Sequence, residues 1–328
     1  MQKILFISKG PHSPSTRYRA TDFFPLLKAA GWQPTHLTDR RSLPARLDIL
    51  RAGADADAVV VVRRTYGRLF ARLLRQASRQ LIFTFDDAIF AKSDGSRSAG
   101  RERRFAATLP LCDQVWAGNS YLAEKARPFN GAVEVIPTAL DADRYNVRAE
   151  KPASSLDLVW IGSSSTKRHL VTMLPALEAA AGSLPSLRLK IIADFSLASD
   201  KLKILPVQWS PETEARELAS AHIGIAPLPD NAFTRGKCGL KVLQYMASGL
   251  PVISSPTGVN KDMVAHGVNG FLAAGDRDWI EAIQRLAQDQ DLRLSMGEAG
   301  RRRCLDHFTL QAAFQKMLAS LEKGPRQF

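Results

Sequence analysis

Four short stretches carry residue types and spacings that could do chemistry. The first is "TRGKCGLKVLQYMASGLPVISS", Thr234 to Ser255, which reads as loop, helix, turn and strand. Gly236 and Gly239 flank Lys237, and Lys241 follows in the first turn of the expected helix. A helix N-terminus already presents unpaired N–H groups and the positive end of the macrodipole, so two added cations repel it unless an anion binds there. The N–H groups of Gly239 and Leu240 would aim at the point the lysines flank, and Gln244, three residues after Lys241, shares its face. Two joined phosphates suit that arrangement. The second stretch, "GSSSTKRHL", sets Gly162 and Ser163 before Lys167 and Arg168, as a phosphate-facing turn entering a helix would. The third, "KGPHSPSTRYR", offers Gly10 for close backbone approach, Ser13 or Ser15 as a helix cap, and Arg17 and Arg19 in the first turns. In the fourth, Asp86 and Asp87 end the run "LIFTFD". Adjacent carboxylates in an extended chain point opposite ways, so one can serve as a base or hydroxyl acceptor and the other as a cap.

Capping loops and solvated lysines give each of these stretches a purely structural alternative, and other classes lack support altogether. Neither half opens with G-x-G-x-x-G, so a nicotinamide or flavin enzyme is disfavoured; no P-loop spacing occurs; and "GNSYL" is not a nucleophile elbow. Cys112, Cys238 and Cys304 lie too far apart for a disulfide framework or zinc spacing, the six histidines are scattered, and no metal ligand set is expected. No nucleic-acid module is recognised. The excess of 45 Lys+Arg over 32 Asp+Glu, a net charge of +13, attracts anions of any kind: phosphorylated substrates, nucleic acid or an anionic membrane surface.

The elements that must position these residues follow from the patterning. Apolar, β-branched runs alternate with amphipathic segments: "KILFIS", "AVVVVRR", "LIFTFD", "QVWAGN" and "VEVIPT" in the first half, then "LDLVWIGS", "LRLKIIAD", "IGIAPL" and "PVISS". Near-continuous apolar strands are those of parallel sheets covered on both faces. The fold class is therefore α/β, with two Rossmann-like doubly wound domains. The polar stretch "RAEKPASS" separates residues 1–150 from residues 151–308, and 309–328 forms a final amphipathic helix. No apolar run reaches the roughly 20 residues needed to span a bilayer, and the first residues do not read as a signal peptide, so the expected location is cytoplasmic.

With these residues in hand, the chain resembles the GT-B glycosyltransferases, specifically their family 4 group (glycosyl transferases group 1). "APLPDNAFTRGKCGLKVLQYMASGLPVISSPTGVNKDMVAHGVNGFL" is similar to that family's donor-binding core and "MGEAGRRRCLDHFTL" to its end segment. "PSTRYR", "FDDAIF", "WAGNSYLAEKA" and "VIPTALDADRY" look more loosely like one bacterial branch. The resemblance implies two domains facing a cleft, with a nucleotide-sugar donor on the second and an acceptor on the first. It also implies no essential metal, retention of configuration, and a last helix that packs back on the N-terminal domain. Lys237, Lys241 and nearby amides would then hold the donor diphosphate, and Arg17 and Arg19 would meet the acceptor. The acceptor would be a cell-surface polysaccharide, glycolipid or other glycoconjugate, with the inner face of the plasma membrane as the place where the basic excess meets anionic headgroups. The family's E-x7-E pair would fall on Gly236 and Gln244, so both carboxylates are missing, and Ser163 stands where an arginine often follows the glycine. Two alternatives remain: a GT-B-fold nucleotide-sugar epimerase, and a non-catalytic nucleotide- or polyanion-binding protein.

Overall fold

The computed structural model describes residues 1–11, 13–40 and 42–325. The chain divides into two compact units. An N unit comprises 1–139, 231–238 and 310–328, and a C unit comprises 140–230 and 239–309. The first crossing thus falls at 139/140, ahead of the polar stretch that suggested 150, and a short loop, 231–238, returns to the N unit.

The N unit is built on six parallel strands: β1 (Gln2–Ser8), β2 (Trp32–Thr38), β3 (Ala58–Val62), β4 (Gln80–Phe85), β5 (Gln114–Ala117) and β6 (Val133–Val135). Their spatial order is β2-β1-β3-β4-β5-β6. β1, β3, β4 and β5 run through the middle of the sheet, where helices on both faces leave almost every residue of β3 and β4 buried. The helix Leu310–Leu321 belongs to this unit. Its Ala313, Phe314, Met317 and Leu321 join Ile4, Phe6 and Trp116 in one core, and Ser320 Oγ accepts from Trp116 Nε1 at 2.8 Å.

The C unit repeats the plan with β7 (Leu156–Ile161), β8 (Leu187–Ala193), β9 (Lys203–Gln208), β10 (Ile223–Ala226), β11 (Val252–Ser254) and β12 (Gly270–Leu272). They lie in the order β12-β11-β10-β7-β8-β9, again all parallel. Read from the other edge, this is the 3-2-1-4-5-6 order of doubly wound dinucleotide folds. In such sheets the strand order reverses at one place, and ligands bind outside the carboxyl ends of the strands there. That point lies between β7 and β10 in the C unit and between β1 and β3 in the N unit. Among the described residues, no helix is long and apolar enough to cross a membrane.

Candidate functional site

At the C-unit switch point, β7 ends at Ile161 and Gly162 follows. The Gly162 N–H donates to the Ile192 carbonyl at 3.0 Å, which ties the turn to the adjacent strand. A Cβ on Gly162 would sit 2.3 Å from the Trp160 ring and 2.7 Å from Lys241 Nζ. Only glycine fits, because a Cβ would run into the Trp160 ring; the Lys241 ammonium also lies against this turn, 4.6 Å from that ring's centroid. Lys241 reaches that position from the first turn of the helix Leu240–Ala247. Gly239, just before it, is left-handed (φ +68°), and a Cβ there would meet Met263 Sδ at 2.7 Å. The glycines, the lysine and the helix N-terminus read from sequence thus meet at one point, where N–H groups of the first turn have no acceptor within the helix. A cation and a positive helix end side by side form an anion site.

The second C-unit turn is arranged differently from the sequence reading. Ser163 precedes the single 3-10 turn Ser164–Thr166, with its N–H bonded to Thr166 Oγ1 at 3.3 Å. The N–H and hydroxyl of Ser164 go to Asp194 at 2.6 and 3.0 Å, which holds the Asp194 carboxyl below its usual range. Lys167 opens the helix Lys167–Ser183 with its ammonium 5.0 Å from the Phe195 ring centroid, and Arg168 follows it there.

Gln244, expected to face the donor, is buried. Its amide donates to Glu214 Oε1 at 3.0 Å and to Tyr145 Oη at 3.2 Å, while Glu214 also accepts from Tyr145 and from Trp209 Nε1 at 2.6 Å. A carboxylate left alone in that interior would be costly, and the amide, the phenol and the indole satisfy it. Gln244 is therefore an internal tie, a correction to its expected contact with donor hydroxyls.

In the N unit, the sequence reading of Arg19 is also corrected. Its side chain is 3% exposed. Its guanidinium donates to Thr84 Oγ1, to the Ile136 carbonyl at 2.6 Å and to the Trp116 carbonyl at 3.3 Å. Burial pulls its pKa down, opposed by the nearby Asp86 charge. Arg19 clamps three strand ends together and does not reach an acceptor. Arg17 stays half-buried beside Asp22, with its guanidinium over the Tyr18 ring. Gly10 follows β1 on one side of the switch point, its N–H on Ser8 Oγ at 3.2 Å and its carbonyl accepting from Thr16 Oγ1 at 2.7 Å. Ser13 occupies the cap position of the helix Pro14–Arg19 without a side-chain cap bond.

On the other side of that switch point stands a residue the sequence reading passed over. Arg63 follows β3 with φ +59°, the one left-handed non-glycine among the described residues. Its guanidinium meets both carboxylates: Nη1 lies 3.4 Å from Asp86 Oδ1, and Nη2 donates to Asp87 Oδ2. Burial lowers the Arg63 pKa, but Asp86 and Asp87 together raise it further. The two aspartates therefore do not split between cleft and cap. The chain bends after Phe85, both carboxylates face one arginine, and the N-cap position of the next helix is held by Ser98, without a side-chain cap bond, and not by either aspartate. Asp87 Oδ1 accepts from Lys237 Nζ at 3.0 Å, so this lysine is engaged within the N unit while Lys241 belongs to the C unit. Asp86 is almost fully buried, and its Oδ1 has no hydrogen-bond partner. Gly118 lets the chain pass there, since a Cβ on it would come within 3.0 Å of Asp86 Cα. Among the described residues, no group of three or more His, Cys, Asp or Glu is placed to hold a metal ion.

Residues 147–289 match the model of the family described as glycosyl transferases group 1. Of known proteins, the D-inositol 3-phosphate glycosyltransferase of Corynebacterium jeikeium is 29% identical over 134 residues, 40% of this chain and 30% of that protein. The match thus spans less than a third of that relative. Sucrose-phosphate synthase from Thermosynechococcus elongatus has a similar structure, with a TM-score of 0.77 at 18% identity over 98% of this chain and 99% of that one. HepE from Anabaena, solved with UDP-glucose, gives a TM-score of 0.70 at 15% identity over 98% and 100% of the two chains. The fold is the GT-B fold of glycosyltransferases. Residues 147–289, the span that matches the glycosyl transferases group 1 model, hold both Gly162 and Lys241.

Proposed function

We propose that this protein is a glycosyltransferase that takes a sugar from a nucleotide-sugar donor held by the C unit. The observation that carries the proposal is the Gly162–Lys241–Gly239 cradle at the C-unit switch point. The bond from the anomeric carbon to the donor phosphate breaks as the bond to an acceptor oxygen forms, and negative charge gathers on the departing nucleoside diphosphate. A fixed ammonium and helix N–H groups stabilise that charge more than they stabilise the intact donor, which is how such groups accelerate a reaction. A UDP-sugar is the first donor to try, since a protein of the same fold holds UDP-glucose.

On the acceptor side, the N unit makes the hydroxyl contact through Asp86 Oδ1, which has no hydrogen bond and lies 3.4 Å from Arg63 Nη1. A phosphorylated or lipid-linked glycan acceptor suits the net charge of +13, and one similar protein is named for an inositol phosphate. Transfer with retention is what the resemblance implies. A specific observation favours one rival, nucleotide binding without turnover: Gly236 lies against Ala88 and Gln244 is turned inward, so neither supplies the family's carboxylate. Incubation with radiolabelled UDP-glucose and a bacterial membrane extract separates the two. Transfer predicts label in a glycan or glycolipid fraction; binding without label in any product supports the rival.

A further inference from the structure

Twelve large apolar side chains are exposed among the described residues, and four of them come from two neighbouring helices of the N unit. These are Leu43 and Leu47 on the helix Leu43–Asp55, and Leu69 and Leu73 on the helix Arg68–Ala77. Both pairs are spaced i,i+4, so each forms a short stripe on one helix face. Leu43 is 71% exposed and Leu69 75%. The two helices touch: the Arg46 guanidinium lies 5.0 Å from the Phe70 ring centroid, and Gly53 lies against Leu74. While Phe70, Ala71 and Leu74 turn into the core, Arg68, Leu69, Arg72 and Leu73 turn out together.

On the helix that bears Leu69 and Leu73 the charge has one sign. The helix Arg68–Ala77 carries Arg68, Arg72 and Arg75 and no acidic residue. Arg75 is occupied with Asp113, which leaves Arg68 and Arg72 beside the leucines. On the companion helix, Asp48 faces Arg51 at 3.8 Å in an exposed pair, and Asp55 is paired with Lys3. Neither acid is on the arginine-bearing helix. A helix with leucines on its outer face and arginines flanking them is the pattern of an element that lies in the headgroup layer of an anionic bilayer.

We infer that the paired helices 43–55 and 68–77 form a docking surface for an anionic lipid bilayer, with the four leucines entering the headgroup layer and Arg68 and Arg72 meeting lipid phosphates. Charge complementarity selects this occupant over a second copy of the chain, because two copies apposed through this face would bring their arginines together. The position of the surface adds a use for it. Arg68 follows Arg63 by five residues, so the arginine-bearing helix starts at the same sheet end as Asp86 and Asp87. If the protein transfers sugar as proposed, docking there brings a lipid-linked acceptor to the N-unit carboxylates.

The test is co-sedimentation of the full chain with phosphatidylcholine vesicles, with and without phosphatidylglycerol. Wild type is expected to sediment only when phosphatidylglycerol is present and to be released by salt. Leu69→Ser/Leu73→Ser and Arg68→Ser/Arg72→Ser should each lower vesicle affinity by at least about tenfold, while melting at the wild-type temperature. Equal sedimentation with both vesicles, no sedimentation at all, or wild-type affinity in the two variants would overturn the proposal. So would a concentration-dependent dimer that the leucine variant converts to monomer. Vesicle binding needs no sugar nucleotide, so its failure leaves the transfer reading standing, and a failure of transfer leaves the docking surface standing.

Discussion

At the scale of single residues, what decides a role is the fate of each polar group, and sequence shows that only in part. The close approaches at Gly162 and Gly239 follow from residue type: a Cβ on Gly162 would meet Trp160 and Lys241, and one on Gly239 would meet Met263 and Val259. Arg19 and Gln244 were misread because their partners come from far along the chain, Thr84, Trp116 and Ile136 for one, Tyr145 and Glu214 for the other. Neither helix periodicity nor motif spacing reveals that burial. Arg63 carried a weak signal, an arginine directly after an apolar strand, but its left-handed backbone is invisible in sequence. On the proposed roles, Asp86→Asn keeps the shape of the side chain while removing its charge. Transfer should then fall by about a hundredfold or more, the lower range for a lost proton acceptor, with donor affinity unchanged. A variant that transfers sugar at the wild-type rate would remove Asp86 from the chemistry.

At the scale of elements, nine of the twelve strands stand out as apolar runs, and the three that do not, β2, β9 and β12, are all edge strands. The reason is physical. An edge strand is covered less completely, so β2 ("WQPTHLT") alternates buried with exposed positions only in its first half, β9 ("KILPVQ") has no fully buried residue, and the two tolerate Pro34 and Pro206, which a central strand would exclude. β12 spans only Gly270–Leu272. The helix Leu240–Ala247 makes a sharper demand, because its cap, Gly239, combines φ +68° with a Cβ position 2.7 Å from Met263 Sδ. Gly239→Ala should cost at least about 1–2 kcal/mol from the left-handed backbone alone, more once Met263 must move. Urea denaturation of the purified variant reads this directly; an unchanged midpoint would mean that the cap relaxes to another conformation.

At the scale of the whole molecule, two doubly wound units each set charged groups beside one switch point, Lys241 against the Gly162 turn in one and an arginine-held carboxylate pair in the other. The C unit also carries a pH dependence of its own. His222 Nδ1 accepts the Asp157 N–H at 3.0 Å, and burial, then the positive charge of Lys151, push its pKa from 6.5 down to about 4. Because the folded value lies below the unfolded one, the unfolded chain takes up the proton first as pH falls. The stability present above about pH 6.5 is therefore lost progressively between 6.5 and about 4. Melting temperature should drop over that interval, and His222→Asn, which keeps an acceptor but cannot titrate, should flatten the drop. Parallel profiles for the two proteins would assign the loss to other groups.

The most direct test of the central claim is calorimetric titration of wild type and Lys241→Ala with UDP-glucose, with GDP- and dTDP-sugars as alternatives. One nucleotide sugar is expected to bind selectively, and Lys241→Ala, still folded, is expected to weaken it by about 1.5–3 kcal/mol, the range for a hydrogen bond to a charged group. Equal affinity in the two proteins, or no binding of any nucleotide sugar to wild type, would contradict a diphosphate cradle at Gly162 and Lys241.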